Sequence, residues 1–233
     1  MPDKQLILTA DDFGRSAAVN EAVARWHRAG ALTQASLMVN EPHAAAAVEI
    51  ARRNPGLRIG LHLTLCDGLA SNGAAMPRSP VWSGLRYAFS PAARAWLGLE
   101  IASQFQRFRD LGLPATYWDG HAHLHLHPVV FSIALPLAVR HGFKFTRLVR
   151  EPGPAALLAR IFRRLSEFSA PQLQASGIGF ADRVFGLRKT GRMDAAEFER
   201  AFAHARGGVT EIYFHPGAEE ALPDPGWVAA RLR

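Results

Sequence analysis

The chain has 233 residues, 48% hydrophobic and 20% charged, which indicates one folded α/β domain spanning residues 1–233 and excludes a disordered or fibrous protein. The net charge of +7 comes mostly from arginines scattered along the chain without a nucleic-acid-binding motif, so no nucleic-acid partner is expected. The lone Cys66 excludes an internal disulfide and a multi-cysteine metal site, and it fits a reducing, cytoplasmic compartment.

No targeting or membrane-spanning segment is expected. The first residues, MPDKQLIL, have no apolar stretch behind them that is long enough for a signal peptide. The uncharged stretch 120–139 contains four histidines and two prolines, which does not suit a lipid-facing helix. The chain ends soon after its last predicted strand, which leaves open whether loop or C-terminal residues are missing from it.

Short β-rich runs alternate with amphipathic helical stretches along the chain. Seven strands are predicted, at 5–9, 33–39, 57–65, 115–119, 144–149, 182–187 and 209–214. Helices are predicted between Ser16 and Gly30 and at about 43–53, 91–111, 129–141, 154–168 and 194–206. Repeated βα units indicate a parallel sheet, and seven strands without a GxGxxG motif after the first favour a barrel-like closure.

Two stretches interrupt the alternation and are predicted to be irregular. Residues 66–90 contain glycine, proline and serine together with Trp82, Tyr87 and Phe89, which is typical of a lid or binding loop. Residues 169–181 form the second irregular stretch.

Polar side chains collect at the C-terminal ends of the predicted strands, where the sites of barrels and parallel sheets form. In chain order these residues are Asp11, Asp12, Asn40, His62, Asp119, His121, His123, His125, His127, Arg147 and His215. A divalent cation held by a carboxylate and two imidazoles, with open positions for water and substrate, suits hydrolysis. One carboxylate of the Asp11–Asp12 pair would then bind the cation, and its neighbour would stay free as a general base.

Each histidine also has an ordinary structural interpretation. Taken alone, His62 would more often be a core histidine, and His215 could simply end a strand. The histidines at 121, 123 and 125 point to one side if the segment is extended. His123 and His125 are candidates for lining the pocket and are not favoured as ligands, and His127, before Pro128, is predicted to begin a helix.

Four segments resemble the YdjC-like family of carbohydrate deacetylases: TADDFG (9–14), IGLHLTL (59–65), DGHAHLH (119–125) and FHPG (214–217). They occur in the order of the family and cover most of the chain. The wider run 7–40 is similar to the hopanoid-biosynthesis-associated deacetylases, the HpnK branch. The region after CDG (66–68) departs from the family pattern, which leaves the substrate lid undefined.

The resemblance implies a distorted (β/α) barrel and metal-dependent removal of the acetyl group from an N-acetylated sugar. It implies that Asp12, His62 and His121 hold one divalent metal ion, Zn²⁺ or Mg²⁺, since mixed ligands discriminate weakly. Asp11 would be the base and His215 the acid, and Asp119 is a candidate for orienting an imidazole. The HpnK branch implies N-acetylglucosamine joined to a hopanoid as the substrate.

Other functions stay open at this stage. A chitooligosaccharide is the alternative substrate, a metal-dependent phosphoesterase is the alternative enzyme, and a sugar- or lipid-binding protein with a vestigial metal site is the alternative without catalysis. Too few carboxylates are present for a clear two-metal phosphoesterase site.

The predicted helix at 154–168 is basic and amphipathic. Its apolar residues are Leu157, Leu158, Ile161, Phe162 and Leu165, and its basic residues are Arg160, Arg163 and Arg164. Such a helix can lie on an anionic membrane surface, which would make a peripheral membrane contact. The favoured interpretation is an ordinary barrel helix packed inward. The oligomeric state is not predicted.

Overall fold

Eight parallel strands form one sheet in the computed structural model, which describes residues 4–152, 157–205, 207–218 and 221–232. The strands are β1 (Lys4–Phe13), β2 (Gln34–Leu37), β3 (Arg58–Leu63), β4 (Tyr117–Gly120), β5 (Phe145–Thr146), β6 (Gly179–Phe180), β7 (Arg183–Phe185) and β8 (Gly208–Phe214). Their spatial order is β6-β5-β4-β3-β2-β1-β8-β7.

The sheet is curled, because its two edge strands are almost consecutive in the chain. β6 and β7 lie at opposite edges and are joined only by Ala181 and Asp182. The three Cα steps from Phe180 to Arg183 span about 10 Å at most, so the two edges must come close together. The sheet is therefore a distorted (β/α) barrel, as predicted, with eight strands instead of seven because the two-residue β6 is too short to show a period-two pattern.

Eight α-helices cover the outside of this sheet within the described ranges. They are α1 (Ala17–Arg28), α2 (Ala44–Arg53), α3 (Pro80–Phe89), α4 (Pro91–Asp110), α5 (Pro128–Arg140), α6 (Leu157–Ala175), α7 (Ala195–Ala203) and α8 (Pro225–Arg231). The predicted cap of α1 is confirmed, since the Ser16 hydroxyl accepts a hydrogen bond from the Val19 N–H at 3.2 Å. His127 occupies the N-cap position of α5, as predicted.

Both stretches predicted to be irregular contain regular structure. The 66–90 connection contains α3, which starts with a serine cap followed by proline at Ser79–Pro80. The stretch 169–181 holds the end of α6 and all of β6, because α6 continues past Pro171 to Ala175. α8 was not predicted.

The inside and the outside of the barrel differ in polarity. Outward side chains of the strands, such as Leu8, Leu61 and Phe214, join an apolar layer under the helices. Inward positions carry a buried polar network instead. Its hydrogen bonds run from Thr9 to Glu211 at 2.8 Å, from Gln34 to Thr9 at 3.0 Å and from Ser36 to Asp119 at 2.8 Å.

The first half of α6 packs inward only in part, since Phe162 and Leu165 contact the core and the other apolar residues do not. Leu157, Leu158 and Ile161 are exposed, and the buried residues of the helix begin at Ser166. The predicted segment 154–168 also includes residues 154–156, which lie outside the described residues. Across the described part of the chain, no helix is long and apolar enough to cross a membrane.

Candidate metal and catalytic centre

The two adjacent carboxylates of β1 occupy different environments because the strand bends between them. Asp12 has a φ of +63°, and the pairing of β1 with β2 shifts register between Ala10 and Phe13. Aspartate tolerates this left-handed conformation better than most residues with a side chain. The bend keeps Asp11 inside the barrel and brings Asp12 to the C-terminal mouth, beside the histidines.

Asp12, His62 and His121 meet at this mouth. Each offers one donor atom, and these atoms all lie within 4.8 Å of one another. The Asp12 Oδ1 atom is 2.9 Å from His121 Nδ1 and 3.3 Å from His62 Nε2. Two ligands of a tetrahedral Zn²⁺, each about 2.0–2.1 Å from the ion, lie about 3.3 Å apart, so both the spacing and the donor set fit a divalent cation.

Asp119 orients His62 from the neighbouring strand. The His62 Nδ1 atom lies 2.6 Å from Asp119 Oδ1, and the Ser36 hydroxyl donates to the other carboxylate oxygen at 2.8 Å. Burial lowers the pKa of His62, but Asp119 and Asp12 outweigh burial and raise it to about 10. Because Asp119 holds the Nδ1 side of the His62 ring, the Nε2 atom of that ring faces Asp12.

Arg147, directly after β5, holds Asp11 through both carboxylate oxygens. The guanidinium donates to Asp11 Oδ2 at 2.7 Å and to Asp11 Oδ1 at 2.8 Å. It also contacts Asp119 Oδ2 at 2.9 Å and Glu211 Oε1 at 2.9 Å, and it lies over the Tyr213 ring. Burial would raise the pKa of Asp11, but Arg147 and then His62 hold it well below its usual range. Asp11 is therefore ionised at neutral pH.

The pKa of Glu211, on β8, shifts in the opposite direction to that of Asp11, although Arg147 contacts both carboxylates. Burial raises the pKa of the Glu211 carboxyl, and Arg147 offsets only part of this effect. Sequence reasoning placed Arg147 at a strand end without a role and missed Glu211. The available signal was a carboxylate inside the apolar run VTEIYF (209–214).

Arg15 and Asp67 form one wall of the mouth and were also missed. The Arg15 guanidinium donates to Asp67 Oδ2 at 2.7 Å. Its other terminal nitrogen lies 3.4 Å from His121 Nε2 and 3.5 Å from Asp12 Oδ2. These two charged residues make this side of the mouth polar.

Two cavities with different wall residues meet at the centre. One, of about 450 Å³, includes Arg15 and Asp67 in its wall, whereas the other, of about 470 Å³, has an apolar wall. The apolar wall consists of Val81, Leu124, Leu158, Phe162 and Leu187. The residues that line both cavities are Asp11, His121, Thr190 and His215. The structure thus places His215, just after β8, on the same cleft as Asp11.

The histidines after β4 do not lie on an extended segment, so the condition for their pointing to one side is not met. The segment His121–Leu126 is a tight 3-10 turn, and Ala122 and His123 both have positive φ angles, so the chain is not extended there. His123 lines the apolar cavity, as expected, with its Nε2 atom 2.8 Å from the Tyr213 hydroxyl. His125 does not line either cavity, because it is fully buried with its Nε2 atom 2.9 Å from the Arg147 carbonyl oxygen.

Comparison with known sequences identifies relatives along the whole chain. The family model described as YdjC-like protein matches residues 5–230. A carbohydrate deacetylase of Mus musculus is 30% identical, over 97% of this chain and 82% of the mouse protein. A chitooligosaccharide deacetylase of Escherichia fergusonii is 33% identical, over 60% of this chain and 58% of that protein.

Comparison with solved structures supports the fold alone. The chain superposes on a candidate cellobiose-phosphate cleavage protein from Enterococcus faecalis with a TM-score of 0.67 and 20% identity. That match covers 95% of this chain and 83% of the other. A lactam utilization protein from Thermus thermophilus matches with a TM-score of 0.52 and 14% identity, over 98% of this chain and 94% of that one.

Proposed function

Because this chain belongs to the YdjC-like protein family, we propose that it is a carbohydrate N-deacetylase that depends on a divalent metal ion. The observation that carries the proposal is that Asp11, His215 and the Asp12–His62–His121 cluster share one cleft. Relatives named carbohydrate deacetylase or chitooligosaccharide deacetylase support the reaction class.

Asp12, His62 and His121 would hold the cation. A divalent cation bound there supplies Lewis-acid activation of the acetamide carbonyl and of water. Asp119 keeps the His62 ring in the orientation that directs Nε2 toward Asp12. The two roles of the neighbouring acids therefore differ, since Asp12 is a ligand and Asp11 is not.

Asp11 is the base and His215 is the acid in this reaction. The ionised Asp11 carboxylate accepts a proton from water as the water oxygen attacks the acetyl carbon. Arg147 holds both oxygens of that carboxylate and so fixes its position in the cleft. His215 donates a proton to the sugar nitrogen as the C–N bond breaks, and the products are acetate and the free amine.

The substrate in this proposal is N-acetylglucosamine joined to a hopanoid. The similarity of residues 7–40 to the HpnK branch supports this choice, and so does an apolar cavity that adjoins, at the reacting centre, a cavity whose wall carries Arg15 and Asp67. The sugar would occupy the cavity beside Arg15 and Asp67, and the lipid would occupy the apolar one. A substrate held in a bilayer also implies a peripheral contact of the chain with the membrane, on its cytoplasmic side.

A chitooligosaccharide is the second candidate substrate. The Escherichia fergusonii relative carries that activity in its name. Such a substrate would leave the apolar wall around Leu158 and Phe162 without a contact, so the glycolipid is favoured.

Mass spectrometry tests the proposal on both substrates. The metal-loaded chain is incubated with an N-acetylglucosaminyl hopanoid and with an N-acetylated chitooligosaccharide, beside a chelator-treated sample and the Asp11→Asn variant. Asp110→Asn, at an exposed position at the end of α4, is the matched control. The expected result is that the glycolipid loses its acetyl group only when both the metal and Asp11 are present. Loss from the chitooligosaccharide alone would contradict the hopanoid, and loss from neither would contradict the deacetylase and turn attention to phosphate esters.

A further inference from the structure

Large apolar side chains are exposed on two helices that flank the apolar cavity. We call these residues the apolar collar: Val81, Trp82, Leu85 and Phe89 on α3, and Leu157, Leu158 and Ile161 on α6. Their exposed fractions range from 47% to 79%. Exposed apolar side chains clustered in this way indicate a surface that contacts another apolar phase.

The collar is continuous with the catalytic cleft. A groove of about 250 Å³ lies between α3 and α6, with Val81 and Leu85 on one side and Phe162 and Leu165 on the other. Val81 and Phe162 also line the apolar cavity that reaches Asp11 and His215. Whatever covers the collar therefore lies at the entrance to the site.

The charge around the collar is predominantly basic, and the nearest acid on α6 is Glu167, 3.2 Å from Arg164. The segments 68–99 and 152–166, which contain α3 and the first half of α6, have no aspartate and no glutamate. They carry six exposed arginines: Arg78, Arg86, Arg94, Arg160, Arg163 and Arg164. A second copy of the chain facing the collar through a twofold axis would bring these arginines against their own counterparts, which is unfavourable. An anionic surface is complementary to them.

We propose that the apolar collar docks on the surface of an anionic phospholipid bilayer. The apolar side chains enter the interface, Trp82 sits at the level of the headgroups, and the arginines face the lipid phosphates. In this orientation the apolar cavity opens toward the bilayer. The docking depends only on this surface, so it can be tested independently of the proposed deacetylase activity.

Sedimentation of the full chain with lipid vesicles tests the docking without any substrate. The vesicles contain either phosphatidylcholine alone or phosphatidylcholine mixed with phosphatidylglycerol, and both are measured at low and at high salt. Binding that requires phosphatidylglycerol and weakens with salt is expected. Equal binding to both kinds of vesicle, or none, would overturn the proposal.

Two sets of matched variants locate the contact. Trp82→Ser combined with Ile161→Ser should weaken binding at least tenfold, because each removes an apolar side chain from the interface. Val139→Ser is the control, because Val139 has the same exposure as Ile161 and lies in the last turn of α5, at the opposite end of the barrel. Neither Trp82 nor Ile161 lines the catalytic cleft.

The arginines are tested with equal changes of charge. Neutralising Arg160, Arg163 and Arg164 to Gln should weaken binding on the order of 100-fold, since each arginine near an anionic surface contributes about fivefold. Neutralising Arg28, Arg53 and Arg140 to Gln, at helix ends on the opposite side, should change it little. If both sets of substitutions weaken vesicle binding equally, the chain is attracted to the anionic lipid by its overall charge and not through the collar, which would overturn the proposal. Gel filtration of the wild type and of the collar variants tests the alternative partner. If the wild type is a dimer that does not bind vesicles and the collar variants are monomers, a second copy covers the collar and the proposal is overturned.

Discussion

His62 Nδ1 lies 2.6 Å from Asp119 Oδ1, and the two residues are direct neighbours in the β3–β4 ladder. Strand register, and not a flexible loop, therefore fixes the orientation of this imidazole. A carboxylate behind a metal-binding histidine holds the ring in place and makes it a better ligand. The pair links the most regular part of the fold to the candidate metal centre.

Removing the charge of Asp119 should weaken metal binding. We expect Asp119→Asn to lower the affinity for Zn²⁺ about 10–100-fold, because the His62 ring loses its charged partner. Titration calorimetry on the metal-free chain measures the affinity. Asp110→Asn serves as the control, and an Asp119→Asn chain that binds Zn²⁺ as tightly as the wild type would contradict the role assigned to Asp119.

Arg147 should stabilise the fold as well as the site. Arg147→Met leaves Asp11, Asp119 and Glu211 buried without their shared cation, which should cost about 3–5 kcal/mol of unfolding free energy. Urea unfolding measures this cost. Adding Glu211→Gln should recover part of the loss by removing one buried acid, and Arg53→Met, at an exposed site, should stay within about 0.5 kcal/mol of the wild type. A double variant no more stable than Arg147→Met would argue against the shared cluster.

The raised pKa of His62 predicts a stability that falls with pH. In the folded, metal-free chain the pKa of His62 is about 10, against an ordinary value of 6.5. The folded state therefore holds a proton that the unfolded state releases, so the contribution is complete below about pH 6.5 and disappears as the pH rises to about 10. Urea unfolding across this range should show the decline, and His62→Gln should flatten it. An equal decline in both chains would assign the effect to another group.

The same protonation predicts that metal binding strengthens with pH. Since a metal must displace the proton from His62, the affinity of the chain for Zn²⁺ should rise as the pH increases toward 10. Calorimetry in buffers of different ionisation enthalpy counts the protons released. Binding without proton release near neutral pH would contradict the proposed role of His62 as a ligand.

Gly60 should not tolerate a side chain. A Cβ atom at Gly60 would overlap the Tyr117 ring inside the barrel, so Gly60→Ala should destabilise the fold by about 1–3 kcal/mol. Gly98→Ala offers a matched control, because Gly98 lies in α4 with no atom within 4 Å of its Cβ position. That change should stabilise the fold by about 0.4–1 kcal/mol. Equal effects of the two substitutions on the urea midpoint would show that the interior accommodates the methyl group.

Much of the site could be predicted because it consists of acids and imidazoles at strand ends. Asp12, His62 and His121 stand out in the sequence, since carboxylates and histidines are unusual beside apolar strands. The partner of Asp119 could not be predicted, because it depends on the register of β3 against β4. Glu211 was missed because a single acid in an apolar strand does not reveal what faces it across a barrel.

The turn after β4 shows a second limit of sequence reasoning. Alternating histidines share one face only if their segment is extended, and the sequence does not settle that condition beyond the predicted strand 115–119. Ala122 and His123 instead adopt positive φ angles, which neither residue type signals, and the three imidazoles diverge. For α6, amphipathic spacing predicted the helix but not its packing, because the same pattern suits a barrel core and a membrane surface.

The Arg147–Glu211 ion pair also joins the two ends of the curled sheet electrostatically. Arg147 follows β5, which is next to the edge strand β6, and Glu211 lies on β8, which is next to the opposite edge strand β7. Two residues connect β6 to β7 and so bring these edges together. The pair can form only when those edges have come together. The same guanidinium holds both oxygens of Asp11, so the contacts that fix this carboxylate form together with the closed barrel. Closure of the barrel and positioning of the Asp11 carboxylate are consequently coupled through one side chain.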